Sequence, residues 1–389
     1  MKCNNCNSEW ITDKRISSLL SFCPFCGKSL VKKAEQKVKA EHKVQAEHKV
    51  KTEQKVQAEH KVQDKPKDAS ASGFSNDGMA WTSVGNIVNG KGKITWANGD
   101  VYEGGFVDGK RTGKGKYTFA SGNTYEGDFV DGKYLGKGKL TWLNGSIYEG
   151  DFVDSMRTGK GKHAWANGYV YEGDFVDFKR NGRGKHTWAN GDVYEGDFVD
   201  DRRTGTGKYR FASGNVYEGD FIDGKRTGKG KYTFASGNVY EGRFIDGKFT
   251  GRGKLTFTSG NVYEGDFIDG KRTGRGKLVI ASGGFYIGDF VNDKRTGKGL
   301  FTWRDGSFYE GDFVNDKRTG KGEFSWPSGA SYKGDFVNNK FHGAGKYTYV
   351  NGDVYEGEFA DGKRSGNGKL THSNGSVQKG VWSDDSFIG

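Results

Sequence analysis

Hydrophobic and polar positions alternate along most of the chain, and the alternation itself recurs every 23 residues. In residues 125–130 rings and glycine alternate with acidic and aliphatic side chains, a period of two that predicts a β-strand. Residues 115–119 alternate in the same way. The composition of residues 108–113 is that of a turn, and residues 120–122 are typical of a three-residue hairpin loop with Gly in the left-handed position. Each unit therefore predicts two antiparallel strands.

The unit repeats without insertion. The Tyr of the first strand recurs at the same spacing in twelve copies, at Tyr102, Tyr125, Tyr148, Tyr171, Tyr194, Tyr217, Tyr240, Tyr263, Tyr286, Tyr309, Tyr332 and Tyr355. A thirteenth copy begins at Gln378, where Tyr is lost, and a half copy containing Trp96 precedes the first. A fixed period of this length indicates a repeat architecture in which neighbouring units share one continuous core.

The consensus of the copies, Y-E-G-D-F-V-D-G-K-R-T-G-K-G-K-Y-T-F-A-S-G-N-V, resembles the MORN repeat over residues 79–384. The resemblance implies an all-β fold, an elongated antiparallel single-layer β-hairpin solenoid of about 13 repeats, here in residues 76–389. A single layer cannot bury an apolar face by itself. We therefore expect the rings of neighbouring copies to pack along one side over the glycines.

The hairpin loop fixes a register for the strands on either side of it. With residues 120–122 as the loop, Tyr117 pairs with Tyr125 and Lys116 pairs with Glu126. Rings and glycines then share one face, and Lys–Glu and Thr–Val pairs share the other.

Two exceptions test this register. Glu323 and Lys333 exchange the usual Lys and Glu, and the register places them opposite each other as a swapped ion pair. Ile287 and Leu300 also depart from the pattern, and this register supplies no compensation for them.

All four cysteines lie near the N-terminus, in the spacing Cys3-x2-Cys6-x16-Cys23-x2-Cys26. Two CxxC pairs at this separation are a strong signal for a tetrahedral zinc site. Residues 22–27, F-C-P-F-C-G, resemble the knuckle of a zinc ribbon, and we expect such a domain with structural Zn²⁺ in residues 1–30. Four thiolates would leave no open position for catalysis, and a cytosolic location disfavours disulfides.

Residues 31–75 are predicted to be a linker rich in Lys and Glu. A six-residue motif places Val at positions that fall on three faces of a helix, so no apolar stripe forms. A solvated helix and a disordered segment both fit this composition. Pro66 and residues 69–73 are typical of a flexible joint.

Composition narrows the class of protein. Gly accounts for 65 of 389 residues and hydrophobic residues for 33%, which excludes a doubly wound enzyme or a helical bundle.

No apolar run is long enough to span a membrane, and no signal peptide begins the chain, so we expect a cytoplasmic protein that is not secreted. The net charge is +12, but the 322 residues after residue 67 hold only +5 of it, which argues against nucleic acid as a partner.

No catalytic constellation stands out from the repeat, so we expect no enzymatic activity and no small-molecule substrate. One possible binding feature is a row of basic residues that follows the first strand of several copies. We call it the basic edge: Lys110, Arg111, Lys225, Arg226, Lys271, Arg272, Lys294, Arg295, Lys317 and Arg318. Such an edge could bind anionic phospholipid or phosphoinositide, or it could be a solvated edge that prevents sheets from aggregating.

Two functions follow as hypotheses. The resemblance implies a non-catalytic scaffold or adaptor, because MORN proteins are known as elongated adaptors that often self-associate. The aromatic-lined ribbon would then bind a protein partner or a second copy, with the zinc ribbon as a further contact module. The alternative is a protein peripheral to a membrane, bound through the basic edge.

Overall fold

The structure is a computed structural model that describes residues 70–74 and 80–389. The four cysteines, the predicted zinc ribbon and most of the predicted linker lie outside the described residues, and both elements stay predictions. The described part of the chain contains 29 β-strands and no helix, as the all-β expectation requires.

The described residues divide into two compact units, one holding those up to residue 166 with 174–179 and the other holding 167–173 with 180–389. The first unit contains β1 (Ser70–Phe74), β2 (Ala80–Gly85), β3 (Gly90–Trp96), β4 (Val101–Val107), β5 (Lys110–Thr118), β6 (Thr124–Val130), β7 (Lys133–Thr141), β8 (Ile147–Val153) and β9 (Met156–Ala164). The residues of β10 (Val170–Val176) are divided between the units. Strand β11 (Lys179–Thr187) belongs to the second unit except for its first residue. The second unit also contains β12 (Val193–Val199), β13 (Arg202–Arg210), β14 (Val216–Ile222), β15 (Lys225–Thr233), β16 (Val239–Ile245), β17 (Lys248–Thr256), β18 (Val262–Ile268), β19 (Lys271–Val279), β20 (Gly284–Val291), β21 (Lys294–Trp303), β22 (Phe308–Val314), β23 (Lys317–Ser325), β24 (Ser331–Val337), β25 (Lys340–Thr348), β26 (Val354–Ala360), β27 (Lys363–Thr371), β28 (Val377–Ser383) and β29 (Ser386–Phe387).

Within each unit the strands form an antiparallel meander in chain order. β1 pairs with β2 and the series continues to β9, and β11 pairs with β12 and the series continues to β29. Strand β1 lies in the segment predicted to be a flexible joint, where its small residues pair in extended form with β2.

The register deduced from the three-residue loop is confirmed. Tyr117 pairs with Tyr125 and Lys116 with Glu126, and the N–H of Phe119 donates to the carbonyl of Asn123 (2.9 Å). Gly122 has φ +86°, the left-handed conformation that the loop requires.

The second hairpin of each repeat differs from the sequence prediction. Its turn consists of only Asp108 and Gly109, both with positive φ, as in a type I′ turn. Strand β5 therefore begins at Lys110, so residues expected in a turn lie in a strand. The register shifts beyond Gly104, and Gly113 and Lys114 have no partner on β4, which makes this point a β-bulge.

The core is a row of rings on one face of the strands. Tyr102 and Phe106 are buried and meet edge to face at 5.2 Å between ring centroids, and Tyr102 meets Phe129 of the next repeat at 4.9 Å. The Tyr102 hydroxyl donates to the carbonyl of Gly105 at the bulge (3.1 Å). A Cβ on Gly115 would lie 2.6 Å from Tyr102 Cε2, so the ring needs glycine beneath it. The expectation that rings pack over glycines is confirmed.

We expect Gly115→Ala to destabilise the protein by about 1–3 kcal/mol, because the added methyl group overpacks the core beneath Tyr102. The matched control is Gly109→Asn. Gly109 has φ +72° and open space around it, and Asn339 adopts φ 75° at the same position of another copy. Urea denaturation, with hydrogen exchange to detect local unfolding in the array, measures both variants. Equal stability of the two variants would contradict the packing argument.

The buried phenols predict instability at high pH. Burial raises the pKa of Tyr263 and of Tyr286 to about 12, above the ordinary value of 10.0. Between these values the unfolded chain loses phenol protons that the folded chain retains, so the free energy of unfolding falls as the pH rises from 10 to 12. We expect tyrosinate absorbance to appear together with the loss of β circular dichroism. Phenols that ionise near pH 10 in an intact fold would refute this.

Candidate functional site

An arginine of each typical repeat lies on the ring face. The guanidinium carbon of Arg111 lies 5.0 Å from the ring centroid of Tyr117 and 5.8 Å from that of Tyr102. Its Nη2 donates to the carbonyl of Gly132 in the turn of the next repeat (2.8 Å). The N–H of Gly132 donates in return to the carbonyl of Arg111 (3.0 Å). The side chain thus packs on rings and fastens one repeat to the next.

Where the turn has Asp in place of Gly, the arginine forms more hydrogen bonds to the next repeat. Arg295 donates from its backbone N–H and from Nε to Oδ1 of Asp316, both at 3.0 Å, and from Nη2 to the carbonyl of Asp316 at 3.1 Å. The guanidinium also lies 5.2 Å from the ring of Phe301. Hydrogen bonds of this charge-assisted kind are the stronger class in proteins.

The structure separates the residues of the basic edge into two sets. The arginines lie over rings: Arg111, Arg226, Arg272, Arg295 and Arg318. The lysines are exposed and belong to the opposite face: Lys110, Lys225, Lys271, Lys294 and Lys317. Two of these lysines have ion pairs with the next turn, at 3.6 Å from Lys110 to Asp131 and 3.1 Å from Lys225 to Asp246. Anion binding by this edge stays a prediction, with only its lysines exposed.

An open cavity of about 390 Å³ lies on the ring face of the first unit. Trp96, Arg111 and Tyr117 contribute to its wall. Asp100 accepts hydrogen bonds from the Tyr117 hydroxyl and from the backbone N–H of Ala120, each at 2.7 Å. The polar groups of this wall are therefore largely engaged by the protein itself.

The opposite face, which we call the outer face, carries a ladder of alternating charges. Lys116 pairs with Glu126 at 2.8 Å, and the same pairing recurs in other copies. The swapped pair is confirmed, with Lys333 Nζ 3.3 Å from Glu323 Oε2. The swap also brings Glu310 opposite Glu323 across the other hairpin.

Ile287 and Leu300 interrupt this ladder, and the structure corrects the expectation that they are uncompensated. They are direct cross-strand partners on β20 and β21. Lys277 on β19 consequently faces Ile287, and Glu310 on β22 faces Leu300. Lys277 Nζ lies 5.3 Å from the ring centroid of Phe285, and within the described residues neither Lys277 nor Glu310 forms an ion pair.

Three more apolar residues extend the Ile287–Leu300 pair into a patch. We call it the outer patch: Val279, Phe285, Ile287, Leu300 and Phe308. Val279 is 40% exposed and the other four are half-buried. Sequence reasoning missed the patch because it followed only the loop hairpin. Pairing across the two-residue turn would have placed Ile287 opposite Leu300.

Some kinds of site are absent from the part of the chain that the structure describes. There, no three His, Cys, Asp or Glu residues are close enough to hold a metal ion. Residues 70–74 and 80–389 also contain no helix that is long and apolar enough to cross a membrane.

Comparison with known proteins identifies the repeat. Thirteen segments between residues 85 and 377 match the family model described as MORN repeat, with a break only at residues 169–170. No curated protein matches the chain.

Solved structures give only distant likenesses. The wild-type TCP10 domain of Danio rerio CPAP has 16% identity and a TM-score of 0.30 over 57% of this chain and 99% of that one. The TCP domain of SAS-4 (dCPAP) of Drosophila melanogaster, in complex with a proline-rich motif of Ana2 (dSTIL), has 18% identity and a TM-score of 0.27 over 46% of this chain and 90% of that one. Likenesses at these TM-scores carry no argument about the partners of this chain.

We expect Arg295→Lys to destabilise its hairpin by about 1–3 kcal/mol, because lysine cannot reproduce the hydrogen bonds to Asp316 or the stacking on rings. The control is the neighbouring Lys294→Ala, which removes an exposed side chain and should change stability by less than about 0.5 kcal/mol. Hydrogen exchange at the N–H of Asp316, which donates to Arg295 (3.0 Å), reports the loss. Equal protection in both variants would be inconsistent with the fastening role.

Proposed function

Because this chain belongs to the MORN repeat family, we propose that it is a non-catalytic scaffold whose repeats make protein–protein contacts. The outer patch is the contact surface, and its occupant is a second copy of the chain. The predicted zinc ribbon of residues 1–30 would be a separate contact module on the same scaffold.

The observation that carries this proposal is the interruption of the charge ladder by Ile287 and Leu300. Most other copies have Glu and Lys at these two positions, and several of these residues form ion pairs across the loop hairpin, as Lys139 and Glu149 do at 2.8 Å. The fold therefore does not need apolar side chains there. Clustered apolar groups on an otherwise charged surface are typical of association sites.

The ring face is a weaker candidate for docking. Its rings already contact one another and the arginines, as Tyr309 does with Phe313 at 5.2 Å and with Arg318 at 5.6 Å. Most of its apolar surface therefore forms the core of the repeat array. The outer patch has no comparable partner within the described residues.

The charges at the borders of the patch favour a second copy. From β19 to β22 one row reads Lys277, Ile287, Leu300 and Glu310, which is basic, apolar, apolar and acidic. A two-fold axis parallel to the strands, between Ile287 and Leu300, brings Lys277 of each copy to Glu310 of the other. Such a self-complementary surface is what a two-fold dimer requires. Facing sheets cross at about 30°, so only the central strands must match.

The membrane alternative has less support. Of the ten residues of the basic edge, only the five lysines are exposed, because the arginines lie on the ring face. Acidic side chains of the next turn neutralise some of these lysines, as Asp246 does for Lys225 at 3.1 Å. Exposed ion pairs of this kind leave little net charge for attraction to an anionic surface.

We expect the double variant Ile287→Glu and Leu300→Lys to lose self-association while keeping its fold. It restores the consensus ladder, so the free energy of unfolding should change by less than about 1 kcal/mol. Sedimentation velocity of the full chain over a range of concentrations is the measurement. A wild-type chain that stays monomeric, or a double variant that dimerises equally well, would disprove the second-copy proposal.

Charge reversal separates a second copy from another protein partner. Lys277→Glu alone and Glu310→Lys alone should each prevent dimers, because like charges then meet across the two-fold axis. An equimolar mixture of the two single variants should dimerise, because both contacts between unlike chains become attractive. A mixture that remains monomeric would rule out this geometry.

A further inference from the structure

One repeat carries a base where most other copies place an acid at the bulge. In five copies the carboxylate at this position pairs with a lysine of the preceding strand, at 2.7–3.0 Å. In four copies it also accepts the backbone N–H of the residue nine positions later, at 3.0–3.2 Å. The copy that begins at Tyr240 has Arg243 instead.

The replacement gathers three cations on the outer face. Arg243 is the cross-strand partner of Lys229, which elsewhere would face an acid. Its Cδ lies 3.9 Å from the position of a Cβ on Gly251, where other copies hold the carboxylate. The backbone N–H nine residues later is that of Arg252. All three basic side chains are exposed, and within the described residues none forms an ion pair.

We infer that Lys229, Arg243 and Arg252, the bulge cation cluster, bind a phosphate group in the place of the missing carboxylate. One phosphate oxygen would accept the N–H of Arg252, as a carboxylate does in other copies. The remaining oxygens would accept from the ammonium of Lys229 and the guanidinium of Arg243. Guanidinium groups suit phosphate because their donors match two oxygens at once. This inference does not rest on the proposed dimer.

The acidic neighbours of the cluster form no ion pair with its three basic side chains within the described residues. Asp220 is engaged, since it accepts the backbone N–H of Lys229 at 3.0 Å. Asp266 faces Arg252 across the strands but makes no ion pair with it within 4.0 Å. A dianionic phosphate would thus meet three basic side chains, none of which is ion-paired with a carboxylate within the described residues.

The test uses the full chain labelled with ¹⁵N-arginine. Inorganic phosphate is titrated at constant ionic strength, with acetate as the control anion, and the backbone amide of Arg252 is followed by NMR. We expect a saturable shift with phosphate, with a dissociation constant on the order of 1 mM, and none with acetate. Absence of a saturable shift, or an equal shift with acetate, would overturn the inference.

Variants that place a residue already found at the same position of another copy should keep the fold, so they test binding separately from folding. Arg243→Asp restores the consensus and should weaken the phosphate response about tenfold or more. Arg304→Asp makes the same change of net charge in an exposed loop and should leave the response unchanged. Asp220→Arg should create a second responsive amide at Lys229, followed with ¹⁵N-lysine. An unchanged response in Arg243→Asp would overturn the inference.

Vesicles distinguish free phosphate from a lipid headgroup. Phosphatidic acid, phosphatidylserine and phosphatidylcholine vesicles are compared by co-sedimentation. Binding to phosphatidic acid that falls in Arg243→Asp and in excess inorganic phosphate supports a lipid phosphate. A phosphate shift without vesicle binding supports a soluble phosphate. Vesicle binding that is unchanged by Arg243→Asp would show that lipid binds elsewhere and counts against the cluster as a lipid site.

Discussion

The packing of one tyrosine ring against two glycines is the contact on which each repeat depends. Gly104 and Gly115 are cross-strand partners, and the ring of Tyr102 lies over both. The hydroxyl then reaches the carbonyl of Gly105, where the bulge begins, which explains why the ring is Tyr and not Phe. A single layer of strands has no second layer to cover it, so the side chain covers its own strands. Any Cβ at these glycines would displace the ring.

This solution places the whole core on one face. In most copies the Tyr meets the Phe of its own repeat and of the next, as Tyr263 meets Phe267 at 5.3 Å and Phe290 at 5.0 Å. Stability therefore comes mainly from neighbouring repeats, as in other solenoids. The outer face contributes cross-strand pairs that are each worth about 0.2–1 kcal/mol. It can change locally without loss of the fold.

The sequence was sufficient to predict the repeat, the register of the loop hairpin and the swapped pair Glu323–Lys333, because a three-residue loop allows only one register. It was insufficient for the second hairpin. The two extra residues of the bulge offset the register, so neither the partnership of Ile287 with Leu300 nor the strand position of Arg111 followed from the loop. Alternation counted back from Tyr117 does place Arg111 on the ring face. Assigning its segment to a turn concealed that signal.

The copies of the repeat show which side chains the fold requires at each position, and this makes their departures informative. Ile287 and Leu300 remove two ion pairs, and Arg243 removes a carboxylate that elsewhere serves both a lysine and a backbone N–H. Neither change improves the packing of Tyr, Phe and Gly, because both lie on the face away from the rings. A departure that gives up local contacts without a gain in the core is best explained by a contact with another molecule. The Ile287–Leu300 pair suits a molecule whose surface is apolar between two opposite charges, and Arg243 suits an anion.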